Sequence, residues 1–109
     1  MDNASPPLKI YFGGPLFSSA ERAFNHKLTG RLEALGFEVF LPQRDGVERD
    51  TPPYNTMSAE EKRQRLFETD CDEVLKVDVF LYVLDGRVPD EGAAVELGIA
   101  YAQIFARRT

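Results

Sequence analysis

The sequence has few of the residues that metal sites and disulfides require. Its 109 residues include one cysteine, one histidine and no tryptophan. Cys71 alone cannot form an internal disulfide, which is typical of a protein kept in a reducing cytoplasm. One histidine and one cysteine cannot build the usual His/Cys metal site within a single chain. We therefore expect neither a metal nor a cofactor.

Long apolar runs and an excess of positive charge are also missing. No stretch approaches the length of a membrane span, and the N-terminus lacks a signal-peptide pattern. We therefore expect a cytoplasmic protein with no membrane partner. The net charge is −5 and the basic residues are scattered among acids, which argues against a nucleic-acid partner. The length and the 43% hydrophobic content fit one globular domain at residues 8–109, after a flexible leader at residues 1–7.

Apolar segments alternate with helical patterns along the chain. We predict strands at residues 8–12, 37–41 and 77–84. One helix is capped by Ser18 or Ser19 and ended by Gly36, a second begins with a capping box from Ser58 to Glu61, and a third spans residues 92–106. Residues 42–57 form a long connection. This order predicts a small parallel α/β sandwich in which the carboxyl ends of the first and third strands lie side by side.

The first helix carries apolar residues at helical spacing. This periodicity predicts that one face of the helix packs on the sheet. Its members are Ala20, Phe24, Leu28, Leu32 and Leu35. The last helix has no strand after it, whereas an open sheet of this kind usually continues, so we expect a C-terminally incomplete domain or one that depends on a partner.

Glu96 is the main catalytic candidate. It is the sole charged residue between Gly92 and Ala106, and a carboxylate in an apolar helix is costly unless it is paired, hydrogen-bonded or used. It lies near the helix N-terminus, where the macrodipole favours the ionised form, after a turn in which Asp90 or a neighbour caps the helix. The alternative is that Glu96 faces solvent, and the residues alone leave both open.

A turn after the first strand provides further candidates. Gly13 and Gly14, followed by Pro15, allow a close approach to a ligand, although the pattern is neither GxGxxG nor a P-loop. Phe17 can stack on a flat ligand or pack in the core. Gln43, after the second strand, can hydrogen-bond a ligand edge or serve no function.

Asp70 lies in an acidic run of the second long helix. Such a run is most often a solvated face, but Asp70 is within a turn of Leu66 and Val74, so it can also border the sheet. The glycine turn, Gln43 and residues 90–96 then converge on one crevice at the carboxyl ends of the strands.

Four of these segments together resemble the nucleoside 2-deoxyribosyltransferase family over about residues 8–105. They are YFGGPLF at residues 11–17, FLPQ at 40–43, Asp70, and PDEG with ELG between residues 89 and 98. The resemblance implies a flavodoxin-like sandwich that moves the 2-deoxyribosyl group between purine or pyrimidine bases. It makes Glu96 the nucleophile that forms a covalent deoxyribosyl ester.

The resemblance also implies roles for the other candidates. Asp70 would protonate the departing base and deprotonate the incoming one, and Asp90 would hold the sugar hydroxyls. Tyr11 would orient the nucleophile, while Phe17 and Gln43 would line the base pocket. The implied ligands are deoxynucleosides and free nucleobases in nucleoside salvage, and the implied assembly is a homo-oligomer whose sites are completed by a neighbouring subunit.

Two alternatives remain open. The same superfamily contains 2′-deoxynucleoside 5′-monophosphate hydrolases, which bind a phosphate after the turn, and Ser18, Ser19 and Arg22 could bind one here. The turn continues as Gly-Pro-Leu-Phe, which is closer to the transferases. The other alternative is a non-catalytic nucleotide-binding domain, against which the presence of Glu96 and Asp70 argues.

Overall fold

The computed structural model describes residues 6–46, 52–84 and 89–108. In these residues the strands are β1 (Lys9–Gly13), β2 (Glu38–Phe40) and β3 (Val79–Tyr82), and the helices are α1 (Ser19–Ala34), α2 (Pro42–Asp45), α3 (Ala59–Lys76) and α4 (Glu91–Arg108). Most of the predicted leader, part of the long connection and the turn at residues 85–88 lie outside the described residues. No helix in the described part is both long and apolar enough to cross a membrane.

The three strands form a parallel sheet in the order β2-β1-β3. Ile10 pairs with Val39 on one side and Val79 on the other. This is the beginning of the flavodoxin-like strand order, and it places the carboxyl ends of β1 and β3 side by side. The predicted fold class is confirmed.

Apolar side chains cover both faces of the sheet. On one face, Ile10 and Phe12 form a buried cluster against which Leu28 of α1 packs. On the other face, Tyr11 and Val74 form a second buried cluster with residues of α4 packed against it. The sheet therefore lies between α1 on one side and α3 with α4 on the other, which gives three layers.

The predicted caps of α1 and α3 are confirmed, while the last helix spans Glu91–Arg108 and not the predicted residues 92–106. Ser18 and Ser58 each form a complete capping box with the glutamate three residues later. Gly36 has a φ of 100°, a conformation that favours glycine and ends α1.

The predicted apolar face of α1 is only partly correct. Leu28 and Leu32 pack on the sheet. Ala20, Phe24 and Leu35 are exposed, and the buried residues of the helix are Asn25 and Thr29. The helix is rotated so that these polar side chains share the buried stripe, because hydrogen bonds of Asn25 offset its loss of water.

The prediction of an unstructured connection at residues 42–57 is also only partly correct. Pro42 begins the short helix α2, where its fixed φ and missing N–H are tolerated. Asp45 closes this helical turn by accepting a hydrogen bond from the Leu41 N–H at 2.9 Å. A 3-10 turn follows at Tyr54–Thr56.

Candidate active site

A cleft of about 460 Å³ opens at the carboxyl ends of the strands. Its lining brings together most of the predicted site residues, namely Tyr11, Gly14, Phe17, Gln43, Asp70, Asp90 and Glu96. Polar side chains from β1, α3 and α4 meet in this cleft, because the strands of a parallel sheet all end at the same edge.

Glu96 is half-buried on the second turn of α4. The Tyr11 hydroxyl, on the buried central strand, donates a hydrogen bond to Glu96 Oε2 at 2.8 Å. Burial raises the pKa of Glu96 to about 7, and the nearby charges of Asp70 and Asp90 act in the same direction, while the Tyr11 hydrogen bond opposes them. Burial, followed by the charges of Asp70 and Glu96, raises the pKa of Tyr11 far above its usual value, so the phenol stays a donor.

Asp70 approaches the same cleft from α3. Its Oδ1 atom is buried and makes no hydrogen bond within the described residues. Burial, with a smaller contribution from the charge of Glu73, raises the pKa of Asp70 to about 6. A buried carboxylate oxygen without a partner is costly, so this carboxyl group favours a proton or a ligand donor at that atom.

Asp90 caps α4, as predicted for this residue or a neighbour. Its Oδ2 atom accepts a hydrogen bond from the Ala93 N–H at 2.8 Å, and the Tyr82 hydroxyl donates to its main-chain oxygen at 3.1 Å. A Cβ atom at Gly92 would lie 3.5 Å from Oδ2, an ordinary van der Waals contact, so this cap does not itself require a glycine. Within the described residues no group of three or more His, Cys, Asp or Glu side chains is placed to hold a metal ion.

Asn25 is a contributor to the site that sequence reasoning missed. Its Nδ2 atom donates to the Pro15 carbonyl and to Gln43 Oε1, both at 2.9 Å, and Gln43 Nε2 donates to the Arg22 carbonyl at 2.9 Å. The two main-chain carbonyls accept only, so each requires an amide nitrogen opposite it. This chain of contacts fixes the orientation of the Gln43 amide and leaves it one N–H and one lone pair.

Gly13 and Pro15, two further predicted site residues, are not among the described residues that line the cleft. A Cβ atom at Gly13 would lie 2.7 Å from Cζ of Phe80, so this glycine serves the packing of the sheet. Pro15 contributes its carbonyl to Asn25. Phe17 is 77% exposed and lies at the cleft, which corrects the alternative that it packs in the core.

Two of the three candidate phosphate-binding residues at the start of α1, Ser18 and Arg22, are engaged internally. The Glu21 carboxylate accepts hydrogen bonds from the Phe17 and Ser18 N–H groups at 3.0 and 2.9 Å. Arg22 donates to the carbonyls of Leu16 and Phe17 at 3.2 and 2.9 Å. A carboxylate therefore lies just before the first turn of α1, where its negative charge opposes the binding of a phosphate.

The fold and the cleft define a three-layer parallel α/β domain with carboxyl groups gathered at the carboxyl ends of its strands. Residues 10–104 match the family described as nucleoside 2-deoxyribosyltransferase, and the chain belongs to that family of enzymes. This confirms the resemblance drawn from the four sequence segments.

Solved structures support the same family. The chain is similar to a 2-deoxyribosyltransferase from the psychrotolerant bacterium Bacillus psychrosaccharolyticus, with a TM-score of 0.73 and 28% identity. The match covers 86% of this chain and 65% of that one, so the chain spans less than two thirds of the length of this neighbour. No curated protein matches the chain.

Proposed function

We propose that the protein transfers a 2-deoxyribosyl group between nucleobases through an ester on Glu96. The observation that supports this most is the pair of half-buried carboxyl groups, Glu96 and Asp70, which line one cleft and have pKa values raised to about 7 and about 6. One group is available as a nucleophile and the other as an acid, as in retaining glycosyl transfer.

The first half-reaction forms the ester. Tyr11 holds Oε2 of Glu96, which leaves Oε1 to attack the anomeric carbon of the donor nucleoside. The new C–O bond forms as the C–N bond breaks, and the electron pair of that bond goes to the base. Asp70 gives its proton to the departing base nitrogen.

The second half-reaction is the reverse with another base. A nitrogen of the incoming base attacks the anomeric carbon, its N–H proton passes to Asp70, and the C–O bond breaks to restore the Glu96 carboxylate. Oδ1 of Asp90, which has no protein partner within the described residues, would accept a hydrogen bond from a sugar hydroxyl. The exposed ring of Phe17 and the oriented amide of Gln43 supply a stacking surface and a polar edge for the base.

The transferase is favoured over the monophosphate hydrolase by the start of α1. Ser18 caps the helix, Arg22 binds main-chain carbonyls, and the Glu21 carboxylate adds a negative charge beside the turn that would disfavour a phosphate there. The similar bacterial protein is described as a biocatalyst for nucleoside synthesis, which agrees with transfer to a base.

We further infer that the protein works in nucleoside salvage as a homo-oligomer. Leu97 and Ile104, seven residues apart on one face of α4, the helix that carries Glu96, are 38% and 45% exposed. Apolar side chains of this kind are suited to burial against another copy of the chain. Sedimentation equilibrium tests the assembly, and a purely monomeric protein at assay concentration would contradict it.

Base exchange is the direct test. The protein is incubated with 2′-deoxyinosine and adenine, and the products are separated by chromatography. We expect 2′-deoxyadenosine, and we expect Glu96→Gln to lower its rate by at least about 10³-fold because the amide cannot form the ester. Glu91→Gln, on the exposed first turn of the same helix, is the matched control and should keep its rate.

The same assay separates the alternatives. Free base and 2-deoxyribose 5-phosphate formed only from deoxynucleoside monophosphates would indicate the hydrolase. A folded protein that binds nucleosides without converting either substrate would indicate the binding domain. Mass spectrometry of the enzyme quenched with donor alone should show a deoxyribosyl adduct on the peptide that contains Glu96, and an adduct elsewhere would contradict the assigned nucleophile.

A further inference from the structure

Three aromatic rings lie side by side across the sheet, one from each strand. Tyr11 pairs in register with Phe40 of β2 and with Phe80 of β3. Its ring centroid is 5.4 Å from each neighbouring centroid, and the ring planes differ by 21° from Phe40 and 10° from Phe80. We call this set, Phe40–Tyr11–Phe80, the aromatic ladder.

The space for this ladder depends on Gly13. A Cβ atom there would lie 2.7 Å from Cζ and 3.0 Å from Cε1 of Phe80, so a larger residue would displace the ring. Below the rings, Val74 and Val77 complete the buried cluster around Tyr11. Tyr11 is therefore enclosed by these valines as well as by the two neighbouring rings.

We infer that Phe40 and Phe80 are positioning residues that hold the Tyr11 hydroxyl against Glu96. A tyrosine side chain turns about two torsions, and a ring stacked on both faces cannot turn about either without losing a contact. The hydroxyl at the end of this fixed ring is 2.8 Å from Glu96 Oε2. Aliphatic residues would fill the same volume without providing flat faces, so the sheet could be equally apolar and leave the tyrosine less constrained.

The consequence for Glu96 can be measured without any substrate. The groups that face it are the Tyr11 hydroxyl from β1, Asp70 and Cys71 from α3, and Asp90 at the start of α4. The Tyr11 hydrogen bond stabilises the ionised carboxylate, whereas burial and the two aspartates oppose it. A less constrained Tyr11 should therefore raise the pKa of Glu96.

The experiment is a ¹³C NMR titration of the Glu96 carboxyl group in the full chain, assigned with Glu96→Gln. The variants are Phe80→Leu and Phe40→Leu, each alone and combined with Tyr11→Phe. Phe12→Leu is the control for the loss of a buried β1 ring, since Phe12 also lines the cleft but lies on the opposite face of the sheet from the ladder. Thermal unfolding establishes that each variant is folded, and Phe40→Tyr serves as the conservative variant that keeps a ring.

We expect Phe80→Leu and Phe40→Leu to raise the Glu96 pKa by about half a unit, in the same direction as Tyr11→Phe. In the Tyr11→Phe background the same substitutions should add nothing, because the hydrogen bond they act through is gone. Phe12→Leu and Phe40→Tyr should leave the pKa unchanged. Equal shifts with and without the Tyr11 hydroxyl would overturn the inference, since they would reflect altered burial, and so would an unchanged pKa in both leucine variants.

The catalytic meaning of this positioning rests on the proposed function, but the titration does not. If base exchange occurs, the acidic limb of the pH–rate profile should move upward in Phe80→Leu and remain in place in Phe12→Leu. If no exchange occurs although the titration gives the expected coupling, the proposed function fails and the positioning of Glu96 by the ladder stands.

Discussion

At the scale of single residues, the site depends on where one proton resides. Glu96 and Asp70 have pKa values raised to about 7 and about 6, chiefly by burial, so near neutral pH the two carboxyl groups together hold about one proton. The proposed transfer requires that proton on Asp70 and an ionised Glu96. The Tyr11 hydrogen bond stabilises the glutamate carboxylate, but the pKa of Glu96 with that bond in place is still above that of Asp70, so the proton lies mainly on Glu96 and transfer uses the less populated form in which it lies on Asp70.

The pH dependence of the transfer follows from this shared proton. We expect a bell-shaped profile of kcat/KM with its maximum between about pH 6 and pH 7. At lower pH both groups are protonated and the nucleophile is lost, and at higher pH both are ionised and the acid is lost. Initial rates of base exchange across this range provide the measurement.

Asp70→Asn is the control for the profile. The amide cannot release a proton to the leaving base, so the alkaline limb should disappear while the acidic limb, which belongs to Glu96, remains. A wild-type profile that stays flat across both pKa values would contradict the assignment of the two carboxyl groups to nucleophile and acid.

At the scale of secondary-structure elements, Asn25 joins parts of the chain that form the wall of the cleft. It is 2% exposed on α1 and connects the turn after β1, through the Pro15 carbonyl, to Gln43 on α2. Neither the turn nor a helix as short as α2 has enough internal hydrogen bonds to fix its own position. The buried amide therefore determines the shape of the end of the cleft that Gln43 lines.

Removal of this amide should affect binding more than chemistry. We expect Asn25→Ala to raise KM for the acceptor base about tenfold with a smaller change in kcat, because Gln43 loses its orienting partner while Glu96 and Asp70 stay in place. The variant should also lose about 1–3 kcal/mol of unfolding free energy, because Gln43 Oε1 and the Pro15 carbonyl lose their donor. Steady-state kinetics with a fixed donor and thermal unfolding provide the two measurements.

Thr29→Val is the matched control for this prediction. Thr29 is equally buried one turn further along α1, and its hydroxyl has no hydrogen-bond partner within the described residues. An isosteric valine should keep KM and cost little stability. If Thr29→Val raised KM as much as Asn25→Ala, the effect would reflect the packing of α1 and not the orientation of Gln43.

The elements also show how much the sequence could predict. Short apolar strands, capping boxes and a terminal glycine are local signals, so the strand order and the starts of α1 and α3 were predictable. Residues 42–45 gave no helical periodicity because α2 is a single turn. The buried face of α1 was only partly assigned because buried Asn25 depends on partners 10 and 18 residues away. The sequence does show a polar side chain one turn from Leu28, which is the signal that could have revealed it.

The placement of the site residues depended on the sheet. The carboxyl ends of β1 and β3 had to meet, so the approach of the glycine turn to Glu96 followed from topology, whereas Tyr11 and Asp70 were assigned to the site by the resemblance to the family. Gly13 was expected at a ligand because a glycine after a strand often allows close approach. Its neighbour in the fold, Phe80, lies 67 residues further along the chain, and no local sequence pattern reveals such a contact.

At the scale of the whole molecule, the cleft lowers the stability of the fold. Glu96 has a pKa of about 7 in the folded protein against an ordinary value of 4.5, so the folded state binds more protons than the unfolded state between these values. The contribution of Glu96 to the free energy of unfolding is therefore most favourable below pH 4.5, and this advantage is lost as pH rises through 7. Above that pH, ionised Glu96 in its half-buried site opposes folding.

Glu96→Gln should therefore stabilise the protein above neutral pH while it abolishes transfer. We expect a gain of about 1 kcal/mol at about pH 8, well below the full value of the pKa shift because solvent screens a half-exposed carboxyl group, and almost no gain near pH 5. That gain corresponds to a rise in Tm of several degrees, about 4–8 °C for a domain of this size. The glutamine keeps an oxygen for the Tyr11 hydroxyl, so the hydrogen bond at 2.8 Å need not be lost.

Thermal unfolding of the wild type, Glu96→Gln and Glu91→Gln at both pH values provides the measurement. Glu91 is an exposed residue on the same helix, so its variant separates the effect of burial from a general change in helix charge. Equal changes in Tm at the two pH values would contradict the raised pKa of Glu96. The expected result is that Glu96→Gln gains stability only at the pH where Glu96 is ionised and loses transfer at every pH. This result would show that the carboxylate is kept for its chemistry although it destabilises the fold.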